Sequence, residues 1–214
     1  MTTARDRPGA VVLVRFPSAS LSRRLTAWYS LHKRRLPWRG TRDPYRIWVS
    51  EVMLQQTRVA TVVPYYRRFL RRFPTLRALA AARVEDVLSA WSGLGYYRRA
   101  RALHAAAREV VNRHGGEIPS DPSLLRRLPG VGGYTAGALS SIAFGVAEPA
   151  LDGNSLRVLS RILALGGGPK SVVNRKVMDR AARGLLEIGV PGDINQALME
   201  LGARICLPVS PRCA

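Results

Sequence analysis

Fourteen acidic residues are spread over 214 positions, and two of them sit in surroundings that suit chemistry. Glu51 lies in IWVSEVMLQQT, flanked by Ile47, Trp48 and Val49 on one side and Val52, Met53 and Leu54 on the other. Apolar surroundings disfavour a carboxylate, raise its pKa and keep it protonated as a general acid. Asp152 lies in PALDGNSLRVLSR, just before a helical pattern that starts at Asn154. Its carboxylate can cap that helix, and a helix start favours the ionised form. A protonated acid beside a stable carboxylate divides labour as glycosidic cleavage requires. One group protonates the departing fragment and the other stabilises the sugar cation left behind. Carboxyls that titrate differently also occur in structural networks, and capping alone accounts for an Asp at this position.

The segment LPGVGGYTAG, Leu128 to Gly137, is a second site of expected chemistry. Pro129 blocks continuation of a short helix, Gly130, Gly132 and Gly133 permit a tight turn, and a new helix then begins with unpaired amides. Such amides form an anion site, and glycines let a ligand approach the backbone closely. An ordinary glycine-rich turn would look similar. The neighbouring proline, the small Ala136–Gly137 pair and the overall charge favour a DNA phosphate.

That charge is large: 34 Lys and Arg against 14 Asp and Glu give +20 at neutral pH. Such a chain attracts polyanions at long range. The run from Arg67 to Arg72 supplies part of the excess, and taken alone it reads as a solvated helix face.

The elements that must position these residues are helical. Leu21, Leu25 and Trp28 recur at helical spacing, and Val59, Val62, Val63, Tyr66, Phe69, Leu70 and Phe73 form an apolar stripe with a kink expected at Pro64. Further helical patterns cover Val84–Trp91, Tyr96–Val111, Pro122–Leu128, Tyr134–Phe144, Asn154–Leu165, Asn174–Ile188 and Ile194–Ile205. No period-two strand is evident, so the class is all-α. Residues 1–20, interrupted by Pro8, Gly9 and Pro17, read as a tail.

With 47% hydrophobic residues the chain packs a core. The apolar run Val11–Val14 is too short for a signal peptide or a membrane span, which leads to the expectation of a cytoplasmic, monomeric protein with no membrane partner. His32, His104 and His114 have no metal-ligand spacing, and Cys206 and Cys213 lie together near the end.

Taken in order, WVSEVMLQQTRVATVVPYY, WSGLGYYRRARALH, LPGVGGYTAGA, LDGNSLRVLSR and NQALMELGARIC resemble A/G-specific adenine DNA glycosylases of the MutY type, within the helix-hairpin-helix base-excision superfamily. The resemblance runs from about Leu36 to Cys213. It implies removal of adenine paired with 8-oxoguanine or guanine in duplex DNA, leaving an abasic site. By motif position it makes Glu51 the acid that protonates adenine, Asp152 the stabiliser of the sugar cation, and Tyr134 and Asn154 their supports. It puts Arg39 and Gln196 in the adenine pocket, Gln56, Leu94 and Tyr96 near the orphaned 8-oxoguanine, and Thr57 among the residues that bind substrate DNA. Gly130, Val131, Gly132 and Gly133 become the DNA-binding turn, whose carbonyls can also hold a monovalent cation. A wedge inserted into the stack offsets lost stacking.

The endonuclease III branch carries a lysine after the hairpin, which attacks the sugar as an amine. Tyr134 stands there instead, favouring a monofunctional enzyme over a glycosylase/lyase. Family members carry Cys-x6-Cys-x2-Cys-x5-Cys around a 4Fe–4S cluster. Here Cys206 and Cys213 supply the first interval and the chain then stops at Ala214, so the cluster is incomplete and a truncated, catalytically impaired DNA-binding remnant is the other alternative. The expected architecture is two-lobed: a six-helix module over 42–151 carrying Glu51 and the hairpin, and a second helical lobe made of 21–41 with 152–214.

Overall fold

The computed structural model describes residues 18–166 and 171–213, and every regular element within them is a helix. Most of the expected tail, residues 1–17, lies outside the described residues, and Ser18 already opens the first helix. In chain order the helices are α1 (Ser18–His32), α2 (Pro44–Leu54), α3 (Val59–Arg72), α4 (Leu76–Ala81), α5 (Val84–Trp91) and α6 (Arg98–Arg113). They continue as α7 (Pro122–Leu125), α8 (Gly133–Phe144), α9 (Gly153–Ile162), α10 (Val172–Leu186) and α11 (Pro191–Arg204). None is long and apolar enough to cross a membrane.

Local chemistry sets the starts. Asp43 accepts hydrogen bonds from the amides of Tyr45 and Arg46, with Pro44 in the first helical position, which opens α2. Thr75 caps α4 and Asp121 caps α7 in the same way. Helix α3 continues through Pro64, an exposed position on the helix.

Two apolar cores organise the helices. The first gathers Trp48 and Met53 of α2, Phe69 of α3, Leu79 of α4, Trp91 of α5, Leu103 of α6 and Leu139 of α8. The second gathers Leu25 and Tyr29 of α1, Leu159 of α9, Met178 and Leu185 of α10, and Leu198 of α11. Trp38, in the segment after α1, packs in the first core against Tyr66, with ring centroids 5.2 Å apart.

Close approaches between the two halves fix their cleft. A Cβ at Gly192 would meet the α8 backbone at Ile142 and Ser141, and within the second half one at Gly202 of α11 would meet Asn154 of α9. A Cβ at Gly137 would collide with Pro149 O, so α8 accepts the connecting segment only because that position is glycine. Buried Asn195 then clamps the segment: it accepts from Ala150 N at 3.0 Å and donates to Glu148 O at 2.9 Å. Asp152 follows two residues later.

Candidate active site

Helix α2 is buried on nearly every side, from Ile47 to Met53, and delivers Glu51 into the space between the two cores. Glu51 is only 6% exposed. Tyr134, in the first turn of α8, donates its hydroxyl to Glu51 Oε2 at 2.6 Å. Burial pushes the Glu51 carboxyl up to about 7; the Tyr134 hydrogen bond and Arg39 pull it down, and Asp152 pushes it further up. Burial, with Glu51 close by, raises the Tyr134 phenol well above its ordinary range, so it stays a neutral donor.

Asp152 is the N-cap of α9. One oxygen accepts from Ser155 N at 2.7 Å and the other from Asn154 Nδ2 at 2.9 Å. Asn154 is held in turn by Arg157, which donates to its Oδ1 at 2.8 Å. The capping role foreseen in the sequence is real, and it leaves Asp152 lining the same cavity, of about 520 Å3, as Glu51, Tyr134 and Asn154. That volume lies within the range of ligand-sized clefts, about 300–1,000 Å3.

Arg39 also lines this cavity, and it brings a network that the sequence reading left out. Glu200 of α11, with a fully buried side chain, accepts from Arg34 Nε at 2.7 Å and Nη2 at 2.8 Å and from Arg39 Nη2 at 2.6 Å. Burial alone would push Glu200 up, but the two guanidinium groups outweigh it and hold the carboxyl below its usual range. Met199 is the second omission: its sulfur lies 3.6 Å from the Tyr134 hydroxyl. The only sequence signal for either residue was their place in NQALMELGARIC.

Gln56 and Thr57 lie at the mouth of the cavity, with Gln56 exposed and in the left-handed region at φ 58°. Tyr96, 58% exposed and at φ 50°, stands beside them across a second depression that Gln56 and Gly130 share. Arg99 ties the two turns together. It donates to the carbonyls of Val52, Met53 and Gln55, to Thr57 Oγ1 at 3.1 Å and to Gly95 O at 3.1 Å. Its guanidinium also covers the rings of Trp91 and Tyr96. A buried arginine at the carbonyl end of α2 satisfies the last helix carbonyls and the helix dipole together.

Two residues assigned from the motifs lie elsewhere. Leu94 is 5% exposed and packed in the first core, because its turn folds back with Leu94 N donating to Trp91 O. Gln196 donates to Gly192 O and lines a separate cavity with Tyr29, Lys33 and Asp193.

The hairpin has the anticipated shape. Gly130 sits at φ 73°, where a Cβ would collide with Ala102; Val131 anchors the turn in the core, and Gly132 and Gly133 are exposed at the start of α8. Gly132 has no side chain to cap the helix, so the first amides of α8 face outward unpaired.

Cys206 is buried and Cys213 exposed, both as free thiols. Among the described residues no group of three or more His, Cys, Asp and Glu gathers as a metal site. A cubane cluster takes four ligands, so the thiols in these residues do not fit it. Arginines hold this segment instead: Arg157 Nε donates to Cys206 O at 2.7 Å, and Arg161 Nη1 to Leu207 O at 2.7 Å and to Cys206 Sγ at 3.2 Å.

Comparison with known proteins bears on this site. A family model described as HhH-GPD superfamily base excision DNA repair protein matches residues 49–183. An adenine DNA glycosylase of Rattus norvegicus is 49% identical over 201 residues, covering 89% of this chain and 39% of that protein. The Homo sapiens adenine DNA glycosylase is 48% identical over 199 residues, covering 89% of this chain and 36% of its own length. The chain thus spans well under half of these relatives. Among solved structures, a thermostable thymine-DNA glycosylase superposes with a TM-score of 0.80 at 29% identity, covering 92% of this chain and 90% of that one. A non-covalent endonuclease III–DNA complex has a TM-score of 0.75 at 22% identity with the same coverage, a likeness of fold.

Proposed function

Because the chain belongs to the HhH-GPD superfamily of base excision DNA repair proteins, we propose that it hydrolyses the N-glycosidic bond of adenine extruded from duplex DNA, acting on adenine paired with 8-oxoguanine or guanine. One observation carries this reading: a buried acid with its carboxyl raised to about 7 shares a cavity with a carboxylate held at a helix N-terminus. The near 50% identity to two adenine DNA glycosylases supports adenine as the base.

In this mechanism Glu51 enters the reaction protonated. It gives its proton to a ring nitrogen of adenine as the C1′–N bond breaks, and the bonding electrons leave with the base. The deoxyribose becomes an oxocarbenium-like cation, which the Asp152 carboxylate stabilises across the cavity. Glu51, now ionised and still accepting from Tyr134, takes a proton from the attacking water, and the acid is restored with an abasic site as product. Asn154 and the Ser155 amide hold the Asp152 carboxylate in its orientation. Arg39 and the arginine-bound Glu200 form a fixed polar wall against which a purine edge can be oriented.

On the DNA side, the outward amides of α8 and the Gly132–Gly133 turn would take a backbone phosphate. Exposed Tyr96, with Gln56 and Thr57 beside it, would fill the space the adenine leaves and face the orphaned base.

A glycosylase/lyase reading needs an amine nucleophile. Among the described residues no lysine lines the cavity, and the first-turn position of α8 is Tyr134. Strand breaks should therefore appear only after alkali treatment. The test is adenine release from an A:8-oxoguanine duplex by the wild type and by Glu51→Gln. The variant should bind the duplex and release nothing, whereas release at the wild-type rate would remove Glu51 from its role. Nicking without alkali, with a borohydride-trapped adduct, would replace hydrolysis by lyase chemistry.

A further inference from the structure

The basic run on α3 is not used by the site described above. Arg67, Arg68, Arg71 and Arg72 carry it, and among the described residues only Arg72 pairs with a carboxylate, Asp86 at 2.6 Å. Arg68 is held in place: its guanidinium lies 4.5 Å over the Tyr65 ring and donates to Ala90 O at 3.5 Å. With Arg71, Ser89 and Ser92 it lines an open groove of about 630 Å3. The same Tyr65 ring supports the turn that carries Tyr96, since a Cβ at Gly93 would collide with Tyr65 Oη. Groove and turn therefore share one support. Ser92 and Tyr96 are four residues apart, so they are at most about 14 Å apart along an extended chain. At about 3.4 Å per nucleotide along one strand, that is a reach of roughly four nucleotides.

We propose that this groove holds backbone phosphates of duplex DNA within about four nucleotides of the extruded base, with Arg68 and Arg71 as the contacts. The inference rests on the DNA glycosylase reading and extends its footprint. Charge complementarity favours the phosphate backbone: two guanidinium groups without carboxylate partners and two serine hydroxyls form a surface of donors, and backbone contacts need no base-specific geometry.

The test is equilibrium binding to an A:8-oxoguanine duplex with long arms, measured across salt concentration. Each neutralised phosphate adds about 0.9 to the slope of log affinity against log salt. R68A/R71A should flatten the slope by about 1.8, so a fourfold rise in salt costs the wild type about 12-fold more affinity than the variant. R71A alone should flatten it by about 0.9, and R68K/R71K should restore it. Replacing the phosphates within about four nucleotides of the adenine on one side by neutral methylphosphonates should abolish the difference between wild type and R68A/R71A; the same replacement on the other side should not. Single-turnover adenine release by R71A at saturating enzyme should stay within about twofold, because Arg71 does not line the cavity. An unchanged slope overturns the proposal, as does a flattening that is the same on every duplex, which marks a diffuse charge effect or a groove built for another polyanion. If the wild type binds DNA but releases no adenine, the glycosylase reading fails and the slopes still decide the groove.

Discussion

Replacing Glu51 with glutamine should stabilise the protein while it destroys the chemistry. A carboxyl with a folded pKa near 7 and an ordinary value of 4.5 binds its proton more tightly in the native state. Below about pH 4.5 the group is neutral in both states and costs nothing. As pH rises from 4.5 to 7 the unfolded chain gives up the proton first and stability is lost; above 7 the loss is complete. Two and a half pH units at about 1.36 kcal/mol each make the loss about 3 kcal/mol. The glutamine amide would keep an acceptor for Tyr134 and lose the ionisable group. Glu51→Gln should therefore match the wild type near pH 4.5 and exceed it by about 3 kcal/mol at pH 8, or roughly 6–12 °C in Tm for a chain of this size. Chemical or thermal unfolding of both proteins across that pH range measures the gap. A gap that does not vary with pH, or a variant less stable at pH 8, would show that Glu51 is not a desolvated acid, and the proton-donor argument would fail with it.

Three other perturbations address neighbouring links. Tyr134→Phe removes the hydrogen bond that lowers the Glu51 pKa; at about 1.5–3 kcal/mol for a bond to a charged group, the alkaline limb of the release rate should move up by about 1–2 pH units. Asp152→Asn keeps a competent helix cap but removes the charge facing the sugar cation, so unfolding should change by less than about 1 kcal/mol while release slows by about 10²–10³-fold. Gly202→Ala would push a methyl group against Asn154 and displace the Asp152 cap, so release should drop by up to about 10²-fold with DNA affinity retained. Equal loss of binding and release in that last variant would point to general unfolding.

The sequence told most about helices with one wet face. Val84–Trp91 was legible to the residue as α5, and Tyr134–Phe144 fell one residue short of α8. Helix α2, which carries Glu51, has no stripe to read because nearly all of it is buried, and α4 is too short for periodicity to register. Pro64, where a kink was expected, lies inside α3 and does not end it. The two carboxylates were legible by type and surroundings, but their meeting in one cavity depends on glycine contacts and the Asn195 clamp, which only tertiary structure displays. The Arg34–Glu200 pair joins residues far apart in the chain and leaves no local trace. Gln196 and Glu200 lie one turn apart on α11, and that turn, about 5.4 Å along the axis, carries Gln196 past the edge of the acid cavity into the neighbouring one. The resemblance put Leu94 near the orphaned base, yet its apolar side chain is drawn into the first core.

The central claim is that Glu51 delivers a proton from a carboxyl poised near neutrality. The pH dependence of single-turnover adenine release from an A:8-oxoguanine duplex tests it most directly. The account predicts a rate that falls about tenfold per pH unit above about 7 and is absent at every pH in Glu51→Gln. A wild-type rate that stays flat from pH 6 to 9 would contradict it.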